Sequence, residues 1–195
     1  MSRKKRRPFT LTERKELIEP TEDEINRILF AADYCVLSAG RSTVAKILKG
    51  SKEKAILEHE LNKNPSYGAF KAKKTEDIIK MIDWMIYRDY LDIEYDGRLP
   101  MIKFGYFGWE YFKKLFANKL YIQMATLKKG EEEEIALYFK KLNREVILIL
   151  LDIIQEKNNP GLIPFLELWR TVECKKLKSK LGRILRELSY GGDER

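Results

Sequence analysis

The sequence predicts a mainly α-helical protein that carries one small β-hairpin. Three observations support this fold class. Apolar residues recur at intervals of three and four through much of residues 21–88, which is the spacing of one helical face. Apolar and polar residues then alternate over residues 90–95, and Asp96-Gly97 is a turn signal before a return strand at 101–104. From residue 117 onward the helical spacing resumes.

The first twenty residues are predicted to form a flexible basic arm. The segment Arg3-Lys4-Lys5-Arg6-Arg7 concentrates five cations just before Pro8, and little apolar periodicity follows until Leu17. A run of this kind is typical of a tail that contacts phosphates at little structural cost, and equally of a terminus that only aids solubility.

Residues 21–116 are predicted to form one domain. Its first helix starts at Thr21, whose hydroxyl can cap the backbone while Glu24 reaches back in a capping box. A second helix ends at Gly50, where a glycine allows the chain to turn. Ser51 is predicted to cap a third helix and to present its hydroxyl and unsatisfied backbone N–H groups to an anion.

A breaker-rich loop at residues 62–68 separates this region from a helix that starts at Thr75 and leads into the hairpin. Helices followed by a two-stranded wing describe a winged-helix domain. The remaining residues, 117–195, are predicted to form an α-helical bundle, broken at residues 158–161, that supplies stability or a surface for a protein partner.

Composition limits the classes of function. The chain has 38 Lys and Arg against 30 Asp and Glu, a formal net charge of +8, which favours a polyanionic partner. Cys35 and Cys174 are far apart and lie within apolar helical patterns, so they resemble packed thiols more than a disulfide or metal framework, and no cofactor is expected. The longest apolar run, residues 146–151, is too short to span a bilayer, so we expect a cytoplasmic, nucleoid-associated protein.

An enzymatic function is not expected. The sequence has no Gly-x-x-x-x-Gly-Lys-Ser/Thr segment for an ATP-driven helicase, and its acidic clusters have no convergent base or metal-ligand set for a nuclease. His59, the only histidine, has no Cys or His neighbour at ligand spacing.

Several stretches resemble one known family in sequence and in order. They are "VAKILKGSKEK", "NPSYGAF" with Lys71, and "DIIKMIDWMIYRDYLDIEYDGRLPMIKF". Together they resemble the RQC domain, the winged helix of RecQ-family helicases, over about residues 21–114. Phe70 replaces the second glycine of the family's aromatic-Gly-x-Gly-Lys loop, and Arg88-Asp89 replaces the glycine before the wing. The resemblance implies a stand-alone bacterial RQC-minor type of DNA-binding protein that lacks a helicase motor.

The candidate interface is the region around Gly50. Residues 46–74 contain eight lysines against three glutamates, a composition that suits contact with a phosphate backbone without reading base sequence. Tyr67 could stack on a base or pack on the domain, and Arg98 in the wing turn could contact a groove or only solvent. The candidate DNA-binding residues are Lys49, Gly50, Ser51, Lys52, Lys54, Tyr67, Lys71, Lys74 and Arg98.

The preferred hypothesis is a non-enzymatic protein that binds duplex or branched DNA in repair, recombination or replication. One alternative is a dimeric transcription regulator whose helix at 75–88 reads a specific site, with Lys80 and Asp83 available for base edges. A second is an adaptor that binds protein through its winged helix. RNA binding is a third, because phosphate contacts alone do not separate A-form from B-form helices.

Overall fold

The computed structural model describes residues 6, 8–128 and 130–190, and the chain divides into two compact units, Met1–Phe112 and Lys113–Arg195. The described residues form α-helices and one two-stranded antiparallel hairpin, which confirms the predicted fold class. Apart from Arg6, the basic cluster at residues 3–7 lies outside the described residues.

The helices of the first unit begin with α1, Glu22–Asp33, and α2, Arg41–Lys49. The short α3, Lys54–Glu58, and a 3-10 turn at Leu61–Lys63 precede α4, Thr75–Tyr87. The predicted capping box of α1 is confirmed, because the Thr21 amide donates to Glu24 Oε2 at 2.9 Å and the Glu24 amide donates to Thr21 Oγ1 at 3.4 Å.

The core of this unit lies where α1, α2 and α4 bring their apolar faces together. The helical spacing seen in the sequence places these side chains on one face of each helix, and burial removes them from water. The fully buried isoleucine, leucine and valine side chains of these three helices are Ile28, Leu29, Val44, Ile47, Leu48, Ile78 and Ile82.

The wing consists of β1, Leu91–Asp96, and β2, Leu99–Phe104, which pair antiparallel from Leu91↔Phe104 to Asp96↔Leu99. The turn between them is two residues long, with Gly97 at φ 55°. The connection between α1 and α2 pairs with β2. The Leu37 amide donates to Ile102 O at 3.0 Å, and the Ile102 amide donates to Ala39 O at 2.9 Å. The hairpin is thereby fixed to the helices by backbone hydrogen bonds.

The segment that precedes α1 differs from the flexible arm that the sequence predicts. Thr12 donates to the buried Asp83 from its amide at 2.9 Å and from its hydroxyl at 2.6 Å. Glu16 pairs with Lys80 at 3.6 Å, and the Arg14 guanidinium lies 5.2 Å from the Tyr87 ring centroid. Residues 12–16 are therefore held along α4, because a buried carboxylate needs hydrogen-bond donors and Thr12 supplies two.

The second unit is helical throughout its described residues. Helix α5, Tyr106–Ala125, contains the division between the units, and α6, Glu132–Lys141, α7, Arg144–Lys157, α8, Ile163–Val172, and α9, Lys175–Tyr190, follow. The Phe139 ring lies 5.1 Å from Trp169 and 5.8 Å from Phe165 in edge-to-face contacts at the core of the unit. Among the described helices, none combines the length and the apolar character needed to cross a membrane.

Candidate nucleic-acid interface

The candidate interface is built on the C-terminal end of α2. Gly50 adopts a left-handed conformation with φ 76° and ψ 41°, which a residue without Cβ reaches at no steric cost. Its amide donates to Ile47 O at 2.9 Å, and the Ser51 amide donates to Lys46 O at 2.9 Å. These bonds satisfy helix carbonyls that would otherwise lack a partner and turn the chain sharply away from the helix.

The loop that contains Tyr67 and Gly68 docks on the same helix end. The Gly68 amide donates to Ile47 O at 2.9 Å, and the Phe70 amide donates to Leu48 O at 2.8 Å. A Cβ on Gly50 would lie 2.9 Å from the Gly68 Cα, so the two glycines allow the two backbones to approach closely. The structure thus joins the two stretches that resemble the family, and we call residues 49–54 and 66–74 the basic corner.

Ser51 and Tyr67 contact each other within the basic corner. The Tyr67 hydroxyl donates to Ser51 O at 2.9 Å, and the side chain is half-buried, so this aromatic packs on the domain. The Ser51 hydroxyl accepts from the Glu53 amide at 3.2 Å, and α3 begins only at Lys54 with no side-chain cap. The prediction that Ser51 caps the third helix is therefore wrong, because its hydroxyl closes a local turn instead.

Lys49 has a structural contact that the sequence did not reveal. Its ammonium donates to Lys71 O at 2.7 Å and to Lys73 O at 2.5 Å, and its side chain is half-buried. Two of its three N–H groups therefore hold the 71–73 segment against α2. Lys49 positions the lysines around it, and a charge reversal there would disturb the loop as well as any phosphate contact.

Four cations of the basic corner are exposed, and three of them, Lys52, Lys71 and Lys74, have no described acidic partner, whereas Lys54 has one. The stem of Lys71 crosses Gly68, where an added Cβ would lie 2.6 Å from the Lys71 Cε. Within the described part of the chain, no hydrogen bond or ion pair engages these three ammonium groups. They therefore supply positive charge that internal carboxylates do not neutralise.

Two other lysines, Lys46 beside the basic corner and Lys54 within it, have acidic neighbours. Lys46 lies 2.7 Å from Glu53, and this hydrogen bond lowers the pKa of the Glu53 carboxyl. Lys54 pairs with Glu58 at 3.4 Å on the surface of α3, and such an exposed pair contributes little to stability, so Lys54 can exchange partners readily. The remaining candidate, Arg98, is exposed in the turn of the wing, outside the basic corner.

The buried side-chain amide of Asn64, which the sequence did not reveal, fixes the start of the Tyr67–Gly68 loop to α1. Asn64 is 4% exposed, its Nδ2 donates to Ala31 O at 3.0 Å, and its Oδ1 accepts from the Ser66 amide at 2.8 Å. The Asn-Pro pair predicts a turn, but the partner on α1 lies 33 residues away and carries no sequence signal.

A salt bridge ties the corner to α1. Lys73 lies 2.8 Å from Glu24, whose side chain is 17% exposed. Burial alone would raise the pKa of Glu24, but hydrogen bonds from Lys73 and from the Thr21 amide hold that pKa below its ordinary value of 4.5. The ionised carboxylate therefore stabilises the fold.

We expect Glu24→Gln to lower the free energy of unfolding by about 1 kcal/mol at pH 7, because it removes the charge from the salt bridge and weakens the capping box. A lowered pKa means that this stability is complete above the unfolded-state pKa and is lost as pH falls through the folded-state value. Urea unfolding of both chains at about pH 7 and about pH 3 checks this expectation. A difference that persists at the acid pH would contradict it.

The regulator hypothesis depends on Lys80 and Asp83 of α4 as base-reading side chains. Asp83 is completely buried, and Arg41 Nη1 lies 2.7 Å from each of its carboxylate oxygens. Lys80 pairs with Glu16 of the preceding segment. The two side chains that the sequence offered for base contacts thus have internal partners.

Comparison with protein families identified the family of the first unit. The model of the RQC domain family matches residues 22–131, more than half of the chain. Comparison with curated proteins and with solved structures returned no significant match. Among the described residues, no group of three or more His, Cys, Asp or Glu side chains is placed to hold a metal ion.

Proposed function

The chain belongs to the RQC family of winged-helix DNA-binding domains, and from this premise we propose that it binds the phosphate backbone of duplex or branched DNA through the basic corner, without an enzymatic activity of its own. The observation that supports the proposal best is the docking of the Tyr67–Gly68 loop on α2. Lys52 follows the chain reversal at the end of α2 and Lys71 lies against it, Lys74 precedes α4, and none of the three ammonium groups has a described internal partner.

The corner suits backbone contacts better than base reading. Lysine ammonium groups are compact point charges that neutralise phosphates and release counterions, and they carry no sequence information. The internal partners of Lys80 and Asp83 weigh against a regulator whose α4 reads base edges. The proposed setting in DNA repair, recombination or replication rests on the RecQ relationship of the family.

Salt-dependent binding by the full chain tests the proposal. Fluorescence anisotropy with blunt duplex, forked duplex, single-stranded DNA and duplex RNA compares wild type with Lys52→Gln/Lys71→Gln/Lys74→Gln. We expect the variant to bind duplex or forked DNA on the order of tenfold or more weakly at about 0.1 M salt. The slope of log K against log salt should become shallower by about 2.7, because each lost phosphate contact accounts for about 0.9.

A matched control separates the corner from net charge. Lys140→Gln/Lys141→Gln/Lys157→Gln removes three exposed cations from the second unit and changes the net charge equally. This control should bind like wild type. Equal losses in both variants would show that net charge alone drives binding, and a wild-type chain that binds none of the four nucleic acids would refute the proposal.

A further inference from the structure

Helix α9 of the second unit has a strongly basic outer face. Its sixteen residues contain six Lys and Arg and one Glu. Its apolar side chains lie on the opposite face and are buried within the unit: Leu177, Leu181, Ile184, Leu185 and Leu188. The basic face is therefore the surface that this helix presents to solvent.

An open groove of about 570 Å³ lies between α8 and α9. Three cations line it, Arg170 from α8 and Lys178 and Arg186 from α9, together with one carboxylate, Glu167. The α9 side of the groove also contains three small residues, Ser179, Gly182 and Ser189, and the largely buried Leu185. A rod-like polyanion could approach this lining closely because these residues do not project far.

Gly182 explains how the three cations come to form a row. A Cβ at this position would lie 3.3 Å from Cζ and 3.4 Å from Nη2 of Arg170, so the guanidinium lies flat against the glycine. Gly182 is four residues from both Lys178 and Arg186, which places all three residues along one side of α9. The row spans about 12 Å at a rise of 1.5 Å per residue.

The charges of this row have no described counter-ion. Other cations of the second unit do have partners. Lys180 of α9 pairs with Asp152 at 2.7 Å, and Arg144 of α7 pairs with the buried Glu173 at 3.3 Å. In the described part of the chain, no ion pair or hydrogen bond engages the charged groups of Arg170, Lys178 or Arg186. Clustered like charges repel one another, so an external anion would relieve this repulsion.

We infer that the α8–α9 groove is a second phosphate-binding surface, in which Arg170, Lys178 and Arg186 contact consecutive phosphates of duplex DNA. About 12 Å of helix axis corresponds to three or four phosphates of one strand. The inference extends DNA binding to the second unit, and it rests on the proposed function in taking DNA as the polyanion.

A membrane surface fits this helix less well. Basic amphipathic helices bind lipid by inserting their apolar face below the headgroups. In α9 that face is already buried in the unit, so insertion would require the core to open. Arginine also favours phosphate oxygens through its planar pair of donors, and two of the three cations in the row are arginines.

The test uses the full chain and two substitutions on the exposed side of the groove. Lys178→Gln/Arg186→Gln is compared with Lys140→Gln/Lys141→Gln, which removes two exposed cations from α6 of the same unit. Anisotropy with a blunt duplex in a salt series should show a slope shallower by about 1.8 for the groove variant and an unchanged slope for the control. Circular dichroism verifies that all chains are folded.

The outcomes distinguish this inference from the proposed function. If the groove variant kept the wild-type salt dependence and only the basic-corner variant lost binding, the groove would not be a DNA-binding surface, and the proposed function would stand. Failure of wild type to bind duplex would overturn both. Loss of binding to phosphatidylglycerol vesicles in the groove variant, with duplex binding unchanged, would assign the groove to lipid and refute the inference.

Discussion

Replacing Asp83 with alanine should lower the free energy of unfolding by about 3 kcal/mol and loosen the segment that precedes α1. Asp83 is 0% exposed, and its carboxylate accepts from Arg41 and from the amide and hydroxyl of Thr12. Its loss leaves the Arg41 guanidinium without a counter-charge, and breaking a buried pair costs about 3–5 kcal/mol. We expect the lower value of this range because the Arg41 side chain is 19% exposed, so water can partly solvate the unpaired charge.

Thermal unfolding followed by circular dichroism should show a decrease in Tm of about 10 °C or more. Trypsin should cleave faster after Arg14 and Lys15, because the contacts of Thr12 no longer hold this segment on α4. Arg41→Met serves as the second arm of a double-mutant cycle. It should cost less in the Asp83→Ala background than in wild type, since the uncompensated cation is then gone. A Tm within about 2 °C of wild type would contradict the expected role of Asp83.

The features that the sequence predicted well depend on contacts between near neighbours. The Thr21–Glu24 capping box spans three residues, and the helical and alternating patterns are read within one element. The wing follows in the same way, because alternation over a few residues and a glycine turn specify a hairpin locally.

The features that it missed depend on distant partners. Thr12 and Asp83 are 71 residues apart, and a single polar residue in a weakly patterned segment gives no sign of such a bond. Tertiary contacts of this kind decide whether a segment packs, and local propensity does not report them. The basic residues near the N-terminus therefore predicted an arm, while residues 12–16 pack on α4.

The candidate site was predicted in its parts but not in its internal contacts. The resemblance grouped Gly50, Ser51, Tyr67 and Lys71, and the structure places them together at one helix end. A lysine can donate to a phosphate or to a backbone carbonyl, and its position in sequence does not distinguish the two. Only the fold shows that Lys49 donates to the 71–73 segment.

Gly50→Ala should reduce both stability and DNA affinity without changing the charge of the protein. Alanine at φ 76° carries a conformational cost of about 1–2 kcal/mol, and its Cβ would lie 2.9 Å from Gly68 Cα. That neighbour is backbone and cannot rotate away, so we expect a total loss of about 2 kcal/mol or more. The loop must shift, and Lys71 shifts with it because its stem crosses Gly68.

Gly97→Ala is the matched control for stability. Gly97 has φ 55° but no atom within 4 Å of an added Cβ, so it reports the conformational cost without the collision. Urea unfolding should therefore show a smaller loss for Gly97→Ala than for Gly50→Ala. Equal losses would mean that the two backbones near Gly50 separate easily and that their close approach contributes little.

DNA affinity then shows whether the basic corner acts through its shape or only through its charge. Diffuse attraction depends on the number of cations, which Gly50→Ala leaves unchanged. Contacts to individual phosphates depend on where Lys52, Lys71 and Lys74 lie relative to one another. We expect anisotropy to show at least fivefold weaker duplex binding by folded Gly50→Ala, on the order of 1 kcal/mol. Wild-type affinity in a folded but destabilised variant would instead show that the lysines attract DNA only through their total charge and not through their relative positions.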